Sequence, residues 1–139
     1  MKRVLLALAI ASASLVTLNS CTKEYITNYL PGVTYTTTIK AGDWTRDGNT
    51  NIYYKDLDFP ELDAQYYNFG TVQVHLEFTD SKGYYNAIPV TIKGIHYSYE
   101  YKIGTISIYA EDRLGQNVNA LDKDIKVKVT LTDADNGGN

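Results

Sequence analysis

Two histidines are the only side chains in this 139-residue chain suited to acid–base work near neutral pH. His75 stands two residues before Glu77; His96 stands two before Ser98 and four before Glu100. A hydrolytic triad needs nucleophile, base and orienting acid within mutual reach. Both histidines occupy polar positions of alternating stretches, where a strand's pleat produces such neighbours by itself. No catalytic residue is assigned, and the chain is read as a non-enzyme. Zinc needs three or four ligands, and two separated histidines with one cysteine do not make a set. Asp43, Thr45, Asp47, Gly48 and Asn49 partly mimic a calcium loop, but Tyr54 stands where the bidentate Glu belongs. A turn built from Asp, Gly and Asn is the simpler account. No metal and no cofactor is expected.

The remaining chemistry is aromatic. Thirteen tyrosines stand against three Phe and one Trp. Trp44 in a turn-rich loop and the pairs Tyr53-Tyr54, Tyr66-Tyr67 and Tyr84-Tyr85 offer flat rings for stacking on sugars. Neighbours on a strand point to opposite faces, so one ring of each pair is expected outside. Trp44, Tyr54, Tyr67 and Tyr85 are the candidates. The competing account has the rings covering the core rim, with Trp44 plugging one end of the fold, because tyrosine suits strands and tolerates a wet margin.

Cys21 is the sole cysteine. Lys2-Arg3, an apolar run from Val4 to Val16 and a small residue at Ser20 have the order of a secretory leader over residues 1–20. The run is too short and too interrupted by Ser12, Ser14 and Thr17 to span a bilayer, which takes roughly 20 apolar residues. Leu18-Asn19-Ser20-Cys21 resembles the lipobox of bacterial lipoproteins, with Asn19 its less usual element. The resemblance implies cleavage before Cys21, acylation of that residue and attachment to a membrane. Several acyl chains hold stably where one is marginal. Thr22 in place of Asp implies the outer membrane, by resemblance to enterobacterial lipoproteins. Lys23-Glu24 faintly resembles a surface-export tag, so the anchor is expected on the periplasmic or cell-surface side. A lipidated Cys21 leaves no disulfide to staple the fold.

The elements are strands. Residues 21–32 read as the lipidated cysteine and its tether, ended by Pro31-Gly32. Residues 33–132 form one domain and 133–139 a disordered polar tail. Val33 to Lys40, Thr71 to Phe78, Ile95 to Tyr101 and Asp124 to Thr132 alternate with period two. Asn51 to Lys55 and Thr105 to Ala110 are shorter strands; Lys102-Ile103-Gly104 joins two into a hairpin. Pro60 is placed at the start of one helical turn over Pro60 to Gln65. Pro89 makes Tyr84 to Ile92 an edge strand or a connection. Lys126 and Lys128, pointing outward, suggest that the last strand is also an edge. About seven strands and no helical hairpin predict a single antiparallel β-sandwich, immunoglobulin-like in general form.

Gly70-Thr71-Val72-Gln73-Val74, Ala87-Ile88-Pro89-Val90, Tyr97-Ser98-Tyr99, Ile103 to Ile108 and Lys126-Val127-Lys128-Val129 make the chain similar to small lipoproteins of Bacteroidetes. The likeness covers most of Gly42 to Leu131. It implies a β-sandwich and no assigned activity.

The 13 Lys and Arg, two of them in the leader, face 16 Asp and Glu. A mature charge of about −5 excludes nucleic acid, which needs a basic surface. A non-catalytic binding or interaction module is expected, with an envelope protein or a glycan as partner. A subunit of an envelope or pilus assembly is the structural alternative, with the Tyr84 to Ile92 edge accepting a partner's strand.

Overall fold

A computed structural model describes residues 32–115 and 121–133. Cys21, the tether up to Pro31, residues 116–120 and the tail from Ala134 lie outside them. The described residues form nine strands: β1 (Val33–Ile39), β2 (Thr45–Arg46), β3 (Ile52–Asp58), β4 (Thr71–Phe78), β5 (Asn86–Ala87), β6 (Val90–Ile92), β7 (Ile95–Lys102), β8 (Thr105–Asp112) and β9 (Ile125–Thr132). Among the described residues an α-helix, α1 (Ala64–Phe69), precedes β4. The strands form two antiparallel sheets in the orders β1-β9-β4-β5 and β2-β3-β8-β7-β6. The fold is the expected all-β sandwich. The two strands beyond the expected seven or so are two-residue pieces.

Period two explains the layers. In the first sheet Ile39, Val72, Val74, Leu76, Ile125, Val127, Val129 and Leu131 are buried, while their alternates face solvent. The second sheet contributes Ile95, Tyr97, Ile106, Ile108 and Ala110. Apolar burial of this kind is worth roughly 25 cal/mol per Å² and carries the fold. Register places Val33, Leu131 and Val72 at one end of the first sheet, and Ile39, Ile125 and Phe78 at the other.

Two expectations need correction. The helix runs from Ala64 to Phe69, not from Pro60, because Asp63 caps it: Asp63 Oδ1 accepts from the Gln65 and Tyr66 amides at 2.9 and 3.1 Å. An aspartate cap outweighs proline's tolerance at a first turn. Pro60 instead lies in a turn whose flanks, Phe59 and Leu62, bond to the Gly104 backbone. The last strand is central, not an edge: β9 lies between β1 and β4. Its outward lysines are accommodated by Glu77, 3.6 Å from Lys126, and by the Tyr85 ring, 4.1 Å from Lys128. The Tyr84 to Ile92 segment is two edge pieces. β5 pairs with β4 in one sheet and β6 with β7 in the other, with Ile88-Pro89 carrying the chain across.

Gly70 marks the tightest joint. A Cβ there would lie 2.7 Å from the Thr132 carbonyl oxygen and 2.9 Å from Tyr66 Cα and O. All three are backbone atoms and cannot swing aside. Gly70→Ala is expected to lower stability by about 1–3 kcal/mol, while Gly42→Ala, with nothing within 4 Å, serves as a neutral control. Denaturant midpoints of the two variants check this.

Candidate ligand-binding cleft

The end of the sandwich marked by Ile39, Ile125 and Phe78 is open. A cleft of about 580 Å³ lies there, within the roughly 300–1,000 Å³ usual for small-ligand sites. Its apolar wall comes from both sheets: Phe78 and Ile125 from the first, Ile92 and Tyr97 from the second. The Phe78 and Tyr97 rings meet at 5.0 Å with a 58° tilt. Burial pushes the Tyr97 phenol up to about 12, so it stays neutral and offers no base.

The rim is charged. Asp80 follows β4 in a single 3₁₀ turn, Thr79–Ser81. Its two oxygens accept from Lys93 Nζ and Lys123 Nζ, each at 2.7 Å. Lys93 stands in the β6–β7 turn at φ 50, beside Gly94 at φ 82. Two successive positive φ angles are the mark of a type I′ hairpin turn. Asp124 is tied to the far side of the rim, accepting from Lys40 Nζ at 2.7 Å and the Ala41 amide at 3.2 Å. Thr79 Oγ1 donates to the Asp124 carbonyl at 2.9 Å. Asp80, Asp122 and Asp124 thus sit among Lys93, Lys123 and Lys40, and the rim is close to neutral overall.

The hydrogen bonds from Lys123 and Lys93 hold the Asp80 carboxyl down to about 2, from an ordinary 3.8. Its folded value lies below its unfolded value, so its contribution to stability is present above about pH 4 and is lost as pH falls towards 2. Wild type should therefore melt above Asp80→Asn at pH 6, and the two melting temperatures should converge as pH approaches 2. Thermal unfolding across that window checks it.

The residues singled out in the sequence lie elsewhere. Trp44 is half-buried against the core, and its indole Nε1 is buried without a hydrogen-bond partner. Tyr54 is on the outer face of the second sheet, 6.4 Å from Tyr109. Tyr67 is on α1, edge-on to Tyr101 at 6.1 Å. Tyr85 lies over Lys126 and Lys128 on the outer face of the first sheet. The four rings occupy separate surfaces and share no platform.

The histidines are on opposite outer faces. His75 lies opposite Lys128 on the first sheet, and burial followed by that charge lowers its pKa. His96, on the second, bonds through Nδ1 to Thr91 Oγ1 at 3.1 Å, not to Ser98. Glu77 is taken up by the Gly83 amide at 2.9 Å and by Lys126. Asp47, Gly48 and Thr50 form the β2–β3 turn, with the Thr50 amide on the Asp47 carbonyl at 3.0 Å. Among the described residues no group of three or more His, Cys, Asp or Glu is placed to hold a metal ion, and no helix is long and apolar enough to cross a membrane. Cys21 lies outside the described residues.

Comparison with protein-family models, with curated proteins and with solved structures found no match.

Proposed function

We propose that the protein is a non-catalytic binding module, held at the outer membrane through Cys21, and that its ligand site is the cleft at the open end of the sandwich. The observation that carries this reading is the cleft's composition: an apolar wall from both sheets beneath a rim of paired charges. Among the described residues that line it, none forms a nucleophile with its base. An apolar wall takes an aromatic or branched aliphatic group and removes its surface from water. A rim of balanced sign favours neither a strongly anionic nor a strongly cationic ligand, but suits one carrying polar groups of both kinds. A peptide segment with one large apolar side chain has that chemistry.

The position of the cleft supports the anchored reading. Gly32 enters β1 at the Val33 end, whereas the cleft opens at the Ile39 end. Seven residues of strand separate the two ends, roughly 23 Å. The chain therefore enters the domain at the end opposite the cleft. The glycan reading has less support, because its four stacking candidates lie apart.

The test is a peptide array run beside a glycan array. Peptides bearing Phe, Leu or Ile should bind wild type and lose binding to a variant with a blocked cleft. Binding confined to glycans, or unchanged by the block, would remove the cleft from the account.

A further inference from the structure

A sheet edge is an open row of backbone donors and acceptors, and soluble domains usually shorten, charge or cover it. Three of the four edges here are managed in that way. β5 and β2 are two residues long, and β6 is three. The part of β3 that β2 leaves uncovered carries Lys55, Asp56 and Asp58, and the part of β7 beyond β6 carries Glu100 and Lys102. On β4, the Val72 carbonyl accepts from the Tyr99 hydroxyl at 2.7 Å and the Val74 carbonyl from the Ile88 amide at 3.1 Å.

β1 is different. It is seven residues long, pairs through its whole length with β9 on one side, and has no charged residue, proline or glycine between Val33 and Ile39. Among the described residues no strand pairs with its other side. Thr34, Thr36, Thr37 and Thr38 are exposed.

The order of side chains indicates what covers it. Val-Thr-Tyr-Thr-Thr-Thr-Ile reads nearly the same in both directions, with an apolar residue at each end and threonine at the second, fourth and sixth places. We propose that β1 pairs antiparallel with β1 of a second copy, centred on Thr36, joining two four-stranded sheets into one of eight. On the outer face Thr34 then meets Thr38 of the other copy and Thr36 meets itself. On the inner face Tyr35 lies beside Thr37, and Val33 beside Ile39. Thr–Thr and aromatic–branched neighbours are favourable cross-strand pairs. The contact is isologous, as closed two-fold dimers require. Charge selects the same surface. The chain has a net charge of −3, so copies repel over most contacts, whereas β1 brings no charge to its own centre. This inference stands apart from the cleft. It is also compatible with anchoring: tethers of eleven residues reach at most about 36–40 Å, so both copies can be held in one membrane.

The test uses the full chain, exported and solubilised in mild detergent. Wild type is expected to be a dimer by light scattering. Thr36→Lys, which sets two ammonium groups against each other at the centre, is expected to halve the protein mass, with an unchanged circular dichroism spectrum showing that the fold persists. Oxidative cross-linking in intact membranes supplies the register. Opposed residues of an antiparallel pair have Cα atoms about 4.5–5.5 Å apart, inside disulfide range. Thr36→Cys should cross-link to itself well above the wild-type background, and Thr38→Cys, which faces Thr34, should not. A monomeric wild type, equal cross-linking at both positions, or cross-linking only to other proteins would each overturn the proposal.

Discussion

On the anchoring proposed above, Cys21→Ser should abolish both acylation and membrane attachment. Metabolic labelling with an alkyne fatty acid is expected to mark wild type and leave the variant blank. The wild-type protein should resist extraction from membranes at high pH and begin at Cys21. The size of the effect follows from the anchor's additivity. Each buried methylene contributes about 0.8 kcal/mol, and even one myristoyl chain reaches only about 10⁴ M⁻¹. Losing every chain at once therefore removes essentially all attachment. No other cysteine exists to substitute. A labelled variant, or an unlabelled wild type, would refute acylation at this residue and with it the outer-membrane assignment.

Ser81→Trp is the second large effect. Ser81 is half-buried on the cleft wall, at the end of the 3₁₀ turn that carries Asp80. Its backbone carbonyl accepts from the Tyr84 amide at 3.2 Å, a bond the substitution leaves in place. An indole there occupies the space that a ligand's apolar group would fill. Burying such a group is worth about 1.5–3 kcal/mol, so affinity should fall roughly ten- to a hundredfold. The melting temperature should stay near that of wild type. Wild-type affinity in this variant would place the ligand elsewhere, and the outer-face Tyr54–Tyr109 pair would become the alternative.

The layers of the fold were legible because burial with period two is written locally. Val72, Val74, Leu76 and Phe78 in β4, and Ile125, Val127, Val129 and Leu131 in β9, announce their inward face without reference to any partner. Strand order was not legible in the same way. Lysines on the solvated face of a central strand look like the guards of an edge, and only the pairing of β9 with both β1 and β4 separates the two cases. The helix moved because two start signals compete within four residues, and the Asp63 side chain supplies acceptors that Pro60 does not.

The cleft itself had no local signature. Its wall and rim come from four separated stretches, around Phe78, Asn86, Ile92 to Tyr97 and Asp122 to Ile125. Asp80 reads as an ordinary turn residue in Asp80-Ser81-Lys82-Gly83, and Lys93 as part of a hairpin turn. The one available hint was the alternation Asp122-Lys123-Asp124 just before an apolar strand. Aromatic pairs drew attention because they are conspicuous in sequence, yet Tyr53, Tyr66 and Trp44 are spent on core packing. Tyr97, which does line the cleft, stands between His96 and Ser98 with nothing to distinguish it from the other alternating tyrosines.

The most direct measurement is methyl NMR on the protein labelled at isoleucine δ1, titrated with tetrapeptides that bear one Phe or one Leu and have free termini. Ile92 and Ile125 on the cleft wall should shift in a saturable way. Ile52, on the outer face of the second sheet beside the Tyr54 row, should stay still, and cello-oligosaccharides should move none of the three. Shifts at Ile52 with silence at Ile92 and Ile125, or a response to the oligosaccharides alone, would contradict the cleft as the binding site.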